Sequence, residues 1–148
     1  MVLMRERIGK LLEYLQEQIY PRSFQIQDYR MTKTEKRFTD LEDLDTSGWD
    51  MLTREQLWGG HREYYWFETK VTIPADFDGE CVVYELMTGR EGEWDATNPQ
   101  FSVFVDGKRI QGLDVNHREI ILTEKACAGR EYRIILSAFT GDQNFVLR

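Results

Sequence analysis

The sequence predicts a mainly β protein: an antiparallel β-sandwich preceded by one N-terminal α-helix. Three observations carry this. Residues 101–139 form short runs of alternating side chains separated by turn signals, as expected where strand side chains point to opposite faces. Strand-like runs recur at a spacing of about ten residues, as in a sandwich. Residues 2–19 alone repeat apolar side chains at helical spacing.

The helix is predicted over residues 2–19. Ile8, Leu11, Leu12, Leu15 and Ile19 share one face, and Pro21 ends it. Such a stripe is expected to pack against the sandwich or a second chain, because a bare patch of that size is sticky. A first strand is expected from Ser23 to Met31, where Phe24, Ile26, Asp28 and Arg30 alternate with Gln25, Gln27 and Tyr29. Residues 32–60 read as mostly irregular, with a helical turn near 53–58 where Thr53 and Gln56 suit a capping box.

Tyr64 to Ile73 reads as a long strand. Tyr65, Phe67, Thr69, Val71 and Ile73 form one face; Tyr64, Trp66, Glu68, Lys70 and Thr72 form the other; Pro74 stops it. Cys81 to Thr88 reads as a strand buried on both faces, with Cys81 a small buried hydrophobe. Residues 89–100 form a polar loop. Phe101, Val103 and Val105 then line one face, and Asp106-Gly107 supplies the positive-φ pair of a tight hairpin. The chain resumes at Arg109–Gln111, crosses Gly112–His117, and re-enters a strand at Glu119–Leu122. Tyr132, Ile134 and Leu136 close the set. The crossing loop is expected to be braced by Asp114, Asn116 and Arg118, which can replace ladder hydrogen bonds there.

A chain of 148 residues suits one compact domain. The expected division is a helix at 1–22 and a β domain at 23–148. The net charge of −7 argues against a nucleic-acid partner, which needs a clustered basic face. Two cysteines, Cys81 and Cys127, suit a reducing compartment, with one disulfide between them left open. Arg5, Glu6, Arg7, Lys10 and Glu13 interrupt any signal-peptide core, and no apolar run is long enough to span a membrane. The expectation is therefore cytoplasmic, without membrane association.

Motifs for chemistry are sparse. Asp43 to Gly48 begins like an EF-hand loop, but Arg54 stands where the bidentate Glu belongs, so it reads as an acidic turn. Glu91, Glu93 and Asp95 could form a carboxylate pair, yet they share one loop, which rarely fixes a catalytic distance. His61 and His117 are the two histidines, without HxH, HExxH or CxxC spacing. His117 reads first as a loop-bracing partner. No GxSxG, P-loop or GxGxxG occurs. The candidate residues for carbohydrate or interdomain contact are Trp58, His61, Trp94, Asp95, Asn98, Asp114, Asn116 and His117. Aromatic rings can stack on sugar faces while polar side chains take hydroxyls, and the same rings can equally serve as packing. Trp66 lies in a strand, where core packing is one of its open roles.

Several of these runs resemble a known family. Trp58-Gly59-Gly60, Tyr64–Phe67, Val71–Pro74, Asn98-Pro99-Gln100, Val105-Asp106-Gly107 and Gln111–Ile120 look like the N-terminal region of cytosolic-type α-mannosidases of glycoside hydrolase family 38. The similarity covers about residues 45–140, and the wider pattern also resembles galactose-binding-like jelly rolls. It implies a jelly-roll sandwich that lacks the family's catalytic residues and supports a downstream catalytic barrel acting on oligomannosides. It also implies a zinc or cobalt ion in that barrel and none in this chain, with no catalytic, cofactor-binding or metal-binding residue here. The alternatives are a free-standing carbohydrate-binding module and a pure assembly domain. The expected partners are therefore the catalytic domain, a mannose-containing oligosaccharide, or a second copy.

Overall fold

The computed structural model describes residues 2–35, 41, 44–53, 56, 58–88 and 98–142. They form a mainly antiparallel, jelly-roll-like β-sandwich with one N-terminal helix, α1 (Val2–Ile19). The strands are β1 (Tyr29–Thr34), β2 (Asp50–Met51), β3 (Tyr64–Thr72), β4 (Val82–Glu85), β5 (Gln100–Val105), β6 (Lys108–Leu113), β7 (Glu119–Thr123) and β8 (Glu131–Phe139). One sheet has the order β2-β1-β3-β8-β5-β6; the other is the pair β4-β7.

The large sheet is built around β3 and β8, which pair from Tyr64↔Phe139 to Thr72↔Glu131. Two core layers follow from strand alternation. On one face Tyr65, Phe67, Val71, Val103, Ile134 and Leu136 pack against Val82 and Tyr84 of β4 and Ile120 of β7. On the other, Trp66, Phe104 and Ile135 are covered by Leu41, Leu44 and Trp49, none of which lies in a strand. Arg133 fixes that cover. Its guanidinium donates to the buried Glu68 carboxylate, to the Leu44 carbonyl at 3.3 Å and to Thr46 Oγ1 at 3.5 Å.

The hairpin at 106–107 forms as expected, with φ of 48° at Asp106 and 79° at Gly107. The Asp106 carboxylate also accepts from the Arg133 N–H at 2.9 Å, which ties the turn to β8.

Four expectations need correction. The first strand starts at Tyr29 rather than Ser23 and runs on to Thr34. Residues 22–28 are a strap held by side chains: Arg22 pairs with Glu80 at 3.2 Å, Phe24 meets Phe77 edge-on at 5.4 Å, and Ile26 packs on the core. Their alternation reflects one docked face and not a ladder. β4 buries Val82 and Tyr84 but exposes Glu85, because its sheet has only two strands and one covered face. Cys81 is exposed, as is Cys127, and both thiols are free.

The fourth concerns α1, where the structure excludes one of the two surfaces expected to receive its stripe. Ile8, Leu11, Leu12, Leu15 and Ile19 are 48–62% exposed, so the stripe does not bury against the sandwich. Just after its end the Tyr20 hydroxyl lies near Glu119 of β7, whose carboxylate, with some desolvation, pushes the phenol up to about 12. No helix among the described residues is long and apolar enough to cross a membrane. Of the expected capping box one half is present: Gln56 Oε1 accepts from Thr53 N–H at 3.4 Å, whereas the Gln56 N–H donates to the Thr53 carbonyl at 3.0 Å and not to its hydroxyl; residues 54, 55 and 57 of the expected turn lie outside the described residues.

Truncating Trp66, which is fully buried, to Ala should cost about 3–5 kcal/mol in denaturant unfolding. Glu68→Ala leaves Arg133 without its carboxylate and should cost about 2 kcal/mol, with the low end expected because Arg133 keeps some solvent. A Glu68→Ala midpoint equal to the parent's would mean that Arg133 does not hold the 41–49 cover.

Candidate functional site

Four side chains of the large sheet point to the face that carries Trp66 and Phe104, beyond the reach of the 41–49 cover. They are Tyr64 of β3, Ser102 of β5, and Ser137 and Phe139 of β8. Register brings them together: Tyr64 sits opposite Phe139 and Ser102 opposite Ser137. The two rings stack with centroids 4.9 Å apart at 29°. Arg109 of β6 reaches across to donate to Ser102 Oγ at 3.3 Å. Gln100, Asp114 and His117 complete an open trough of about 540 Å³.

The rim is built by the crossing between sheets. Where the chain leaves β6, the Asp114 carboxylate accepts from the N–H groups of Asn116 at 2.8 Å and His117 at 2.7 Å, and His117 Nδ1 lies 3.1 Å away. Partial burial pushes the Asp114 carboxyl up, but those donors outweigh it and hold the group below the usual carboxylate range. Arg118 pairs with Glu85 at 3.2 Å, which fastens the loop to β4. Asp114 and Arg118 therefore brace the loop as expected. The Asn116 side chain is exposed, and that residue contributes through its backbone.

The candidate residues divide as follows. Asp114 and His117 line the trough. Asn116 and His117 border a second depression with Gln111 and Arg118. Asn98 lies against Gly141, where an added Cβ would come within 2.3 Å of its side chain, next to the cis Asn98-Pro99 bond. His61 is exposed beside Arg62, which pairs with Asp142. Trp58 lies in the core on the opposite face, edge-on to Phe67 at 4.8 Å and to Tyr65 at 5.4 Å. It serves as packing. Trp94, Asp95, Glu91 and Glu93 lie outside the described residues, as does Asp43 of the EF-hand-like run. In that run Asp45 accepts from the Ser47 N–H at 2.9 Å, forming an acidic turn.

Tyr64, Phe139, Ser102, Ser137 and Arg109 escaped the sequence reading. They come from four strands, and only register assembles them. The aromatic alternation at Tyr64 and Phe139 was the available signal. Chemically the trough offers aromatic edges, hydroxyls and one guanidinium. Its carboxylate is engaged by backbone donors and is not poised to move a proton. Among the described residues no group of His, Cys, Asp and Glu is arranged to hold a metal ion.

No family model and no curated protein matches the sequence. Solved structures do match in fold. The chain is similar to the Bacteroides uniformis β-glucuronidase at 13% identity, with a TM-score of 0.54 over 74% of this chain and 13% of that one. It is also similar to a β-glucuronidase from glycoside hydrolase family 2, at 14% identity and a TM-score of 0.52, over 74% and 13%. The chain thus spans about one-eighth of the length of these structures. They correct the α-mannosidase resemblance: the neighbours belong to glycoside hydrolase family 2 and not to family 38. The run from Asp106 to Glu119 that carried the resemblance is a hairpin turn, an edge strand and an Asp-braced crossing, features a sandwich needs for its own reasons. The zinc or cobalt expectation rested on that resemblance alone and goes no further.

Asp114→Ala should cost about 1 kcal/mol or more, as loss of a carboxylate serving backbone donors does, whereas Asn116→Ala should stay within about 0.5 kcal/mol. Because the folded pKa of Asp114 is lowered, its contribution is present above the unfolded pKa of about 3.9 and fades as pH falls through the folded value. The stability gap between the parent and Asp114→Asn, measured by urea unfolding, should therefore close only in acid. A constant gap from neutral pH down to pH 2 would remove Asp114 from the loop's support.

Proposed function

We propose that this chain is a noncatalytic β-sandwich module of a glycoside hydrolase, working beside a catalytic domain. The observation that carries the reading is the likeness of its sandwich to about one-eighth of family 2 β-glucuronidases, a share that leaves room for a separate catalytic domain. The donor set supports it, since the one carboxylate in the trough is committed to backbone N–H groups. The module corresponds to the sandwich from about residue 23 onward, with the helix as an appendage.

Two measurements test this. The purified chain should turn over no aryl β-glucuronide or other aryl glycoside; sustained turnover would overturn the noncatalytic reading. A glycosidase catalytic domain should be found on the same polypeptide or should copurify from the native source. Purification of the native protein as a solitary chain with no such partner would overturn the module reading.

The trough favours a second reading, direct saccharide binding. A stacked Tyr64–Phe139 pair flanked by Ser102, Ser137 and Arg109 offers apolar contact with hydroxyl partners around it. Calorimetric titration with glycans should then show weak saturable binding that Tyr64→Ala removes while the melting temperature is largely kept. Binding unaffected by Tyr64→Ala would place the sugar elsewhere.

A further inference from the structure

Among the described residues, a large apolar surface that the sandwich does not use is the stripe on α1. Met4, Ile8, Leu11, Leu12, Leu15 and Ile19 lie within roughly 100° of the helix circumference and are 48–69% exposed. Their spacing is palindromic. Met4 and Ile19, Ile8 and Leu15, and Leu11 and Leu12 are each symmetric about the point between Leu11 and Leu12, one residue past the helix midpoint. An isologous two-fold contact needs that pattern, because residue i must meet residue j while j meets i. We propose that α1 pairs antiparallel with α1 of a second copy of this chain, with Ile8 facing Leu15 of the other copy across the two-fold axis.

Charge selects the antiparallel direction. Residues 2–11 carry Arg5, Arg7 and Lys10 against Glu6, a net of +2, and residues 12–19 carry Glu13 and Glu17, a net of −2. Parallel pairing would set basic half against basic half. Antiparallel pairing separates the flanking Arg5 and Arg7 of the two helices, while Glu13 and Glu17 lie on the face turned away from the stripe. The same polarity opposes the helix dipole: the first turn has no acidic residue and the last turn no basic one. A helix with charges placed this way depends on packing, and the antiparallel partner brings an opposed dipole together with its apolar face.

The area fits a dimer. Six half-exposed aliphatic side chains present on the order of 500 Å² per helix, most of the ~800 Å² per partner that a standard interface removes. The stems of Arg5, Arg7 and Gln18 flank the stripe and can supply the rest.

The test uses the full chain. Sedimentation equilibrium should show a reversible dimer, and Leu11→Gln with Leu15→Gln should weaken it at least roughly tenfold while leaving the sandwich melting transition in place. Direction is read by disulfide trapping in a Cys81→Ser, Cys127→Ser background, with glutathione disulfide as oxidant. Ile8→Cys plus Leu15→Cys should give covalent dimers, since within one helix these positions are about 10 Å apart along the axis and cannot bridge. Ile8→Cys alone should not. A chain that remains monomeric throughout overturns the proposal, including one that instead sediments with anionic phospholipid vesicles through the same stripe. Self-trapping by Ile8→Cys alone, which requires parallel helices, overturns it as well.

Discussion

The structure depends on the burial of β3 and β8 on both faces. Trp66 and Phe67 are both buried, as are Ile134 and Ile135, so neither face of the central strands can be left to solvent. A two-stranded sheet covers one face. The other is covered by Leu41, Leu44 and Trp49, none of which lies in a strand, and such a cover has no hydrogen-bond register to locate it. Arg133 supplies that location. It bonds the sheet at Glu68 and the cover at Leu44 and Thr46 together, and Arg30 of β1 adds a bond to the Thr46 carbonyl at 3.4 Å. A buried carboxylate is costly unless paired, so the geometry of the pair is strongly constrained, and the constraint passes to the cover.

The trough is the counterpart of that arrangement. The cover is anchored near Arg133 and reaches Ile135 on β8, and its apolar residues extend to Trp66 and Phe104 on the neighbouring strands. Two residues further along each strand the face carries Ser137, Tyr64 and Ser102, which are half-buried and partly polar. The side chains therefore change character where the cover stops. A stacked ring pair at that border shields the edge of the second core layer, and it also leaves a surface with both apolar and hydroxyl character. One residue set thus serves packing and offers a contact surface.

The sequence made the strand pairs legible wherever alternation and turn chemistry agreed. The Tyr64 strand, the Asp106-Gly107 hairpin and the closing Tyr132 strand follow from period two and positive φ, which are local properties. Three features were not local. The strap at 22–28 alternates like a strand because one face docks, and alternation cannot distinguish docking from pairing. The cover residues Leu41, Leu44 and Trp49 show no period, since side chains from distant strands, Arg133 and Arg30, hold that segment. Trp58 sits beside a glycine pair, which suggested an end loop, but long-range packing on Phe67 and Phe101 draws it into the core. Of the candidate site, Asp114 and His117 were legible through the polar crossing loop. The Tyr64–Phe139 pair was not, because residues 75 positions apart meet only through β3–β8 register.

The same reasoning explains why the run from Asp106 to Glu119 suggested the wrong family. Each of its residues answers a local demand. Asp106 and Gly107 take positive φ; Leu113 closes the core at the end of an edge strand; Asp114 gathers two backbone N–H groups where the chain crosses between sheets; Arg118 anchors the crossing to Glu85. Any sandwich with this crossing meets the same demands and can converge on similar residues, so the run reports architecture more than ancestry. The helix stripe differs in this respect. The sandwich core closes without it, and an aliphatic face of six residues has no local demand to answer. Where a surface is more apolar than its own chain can use, the reason for it lies in what that surface meets.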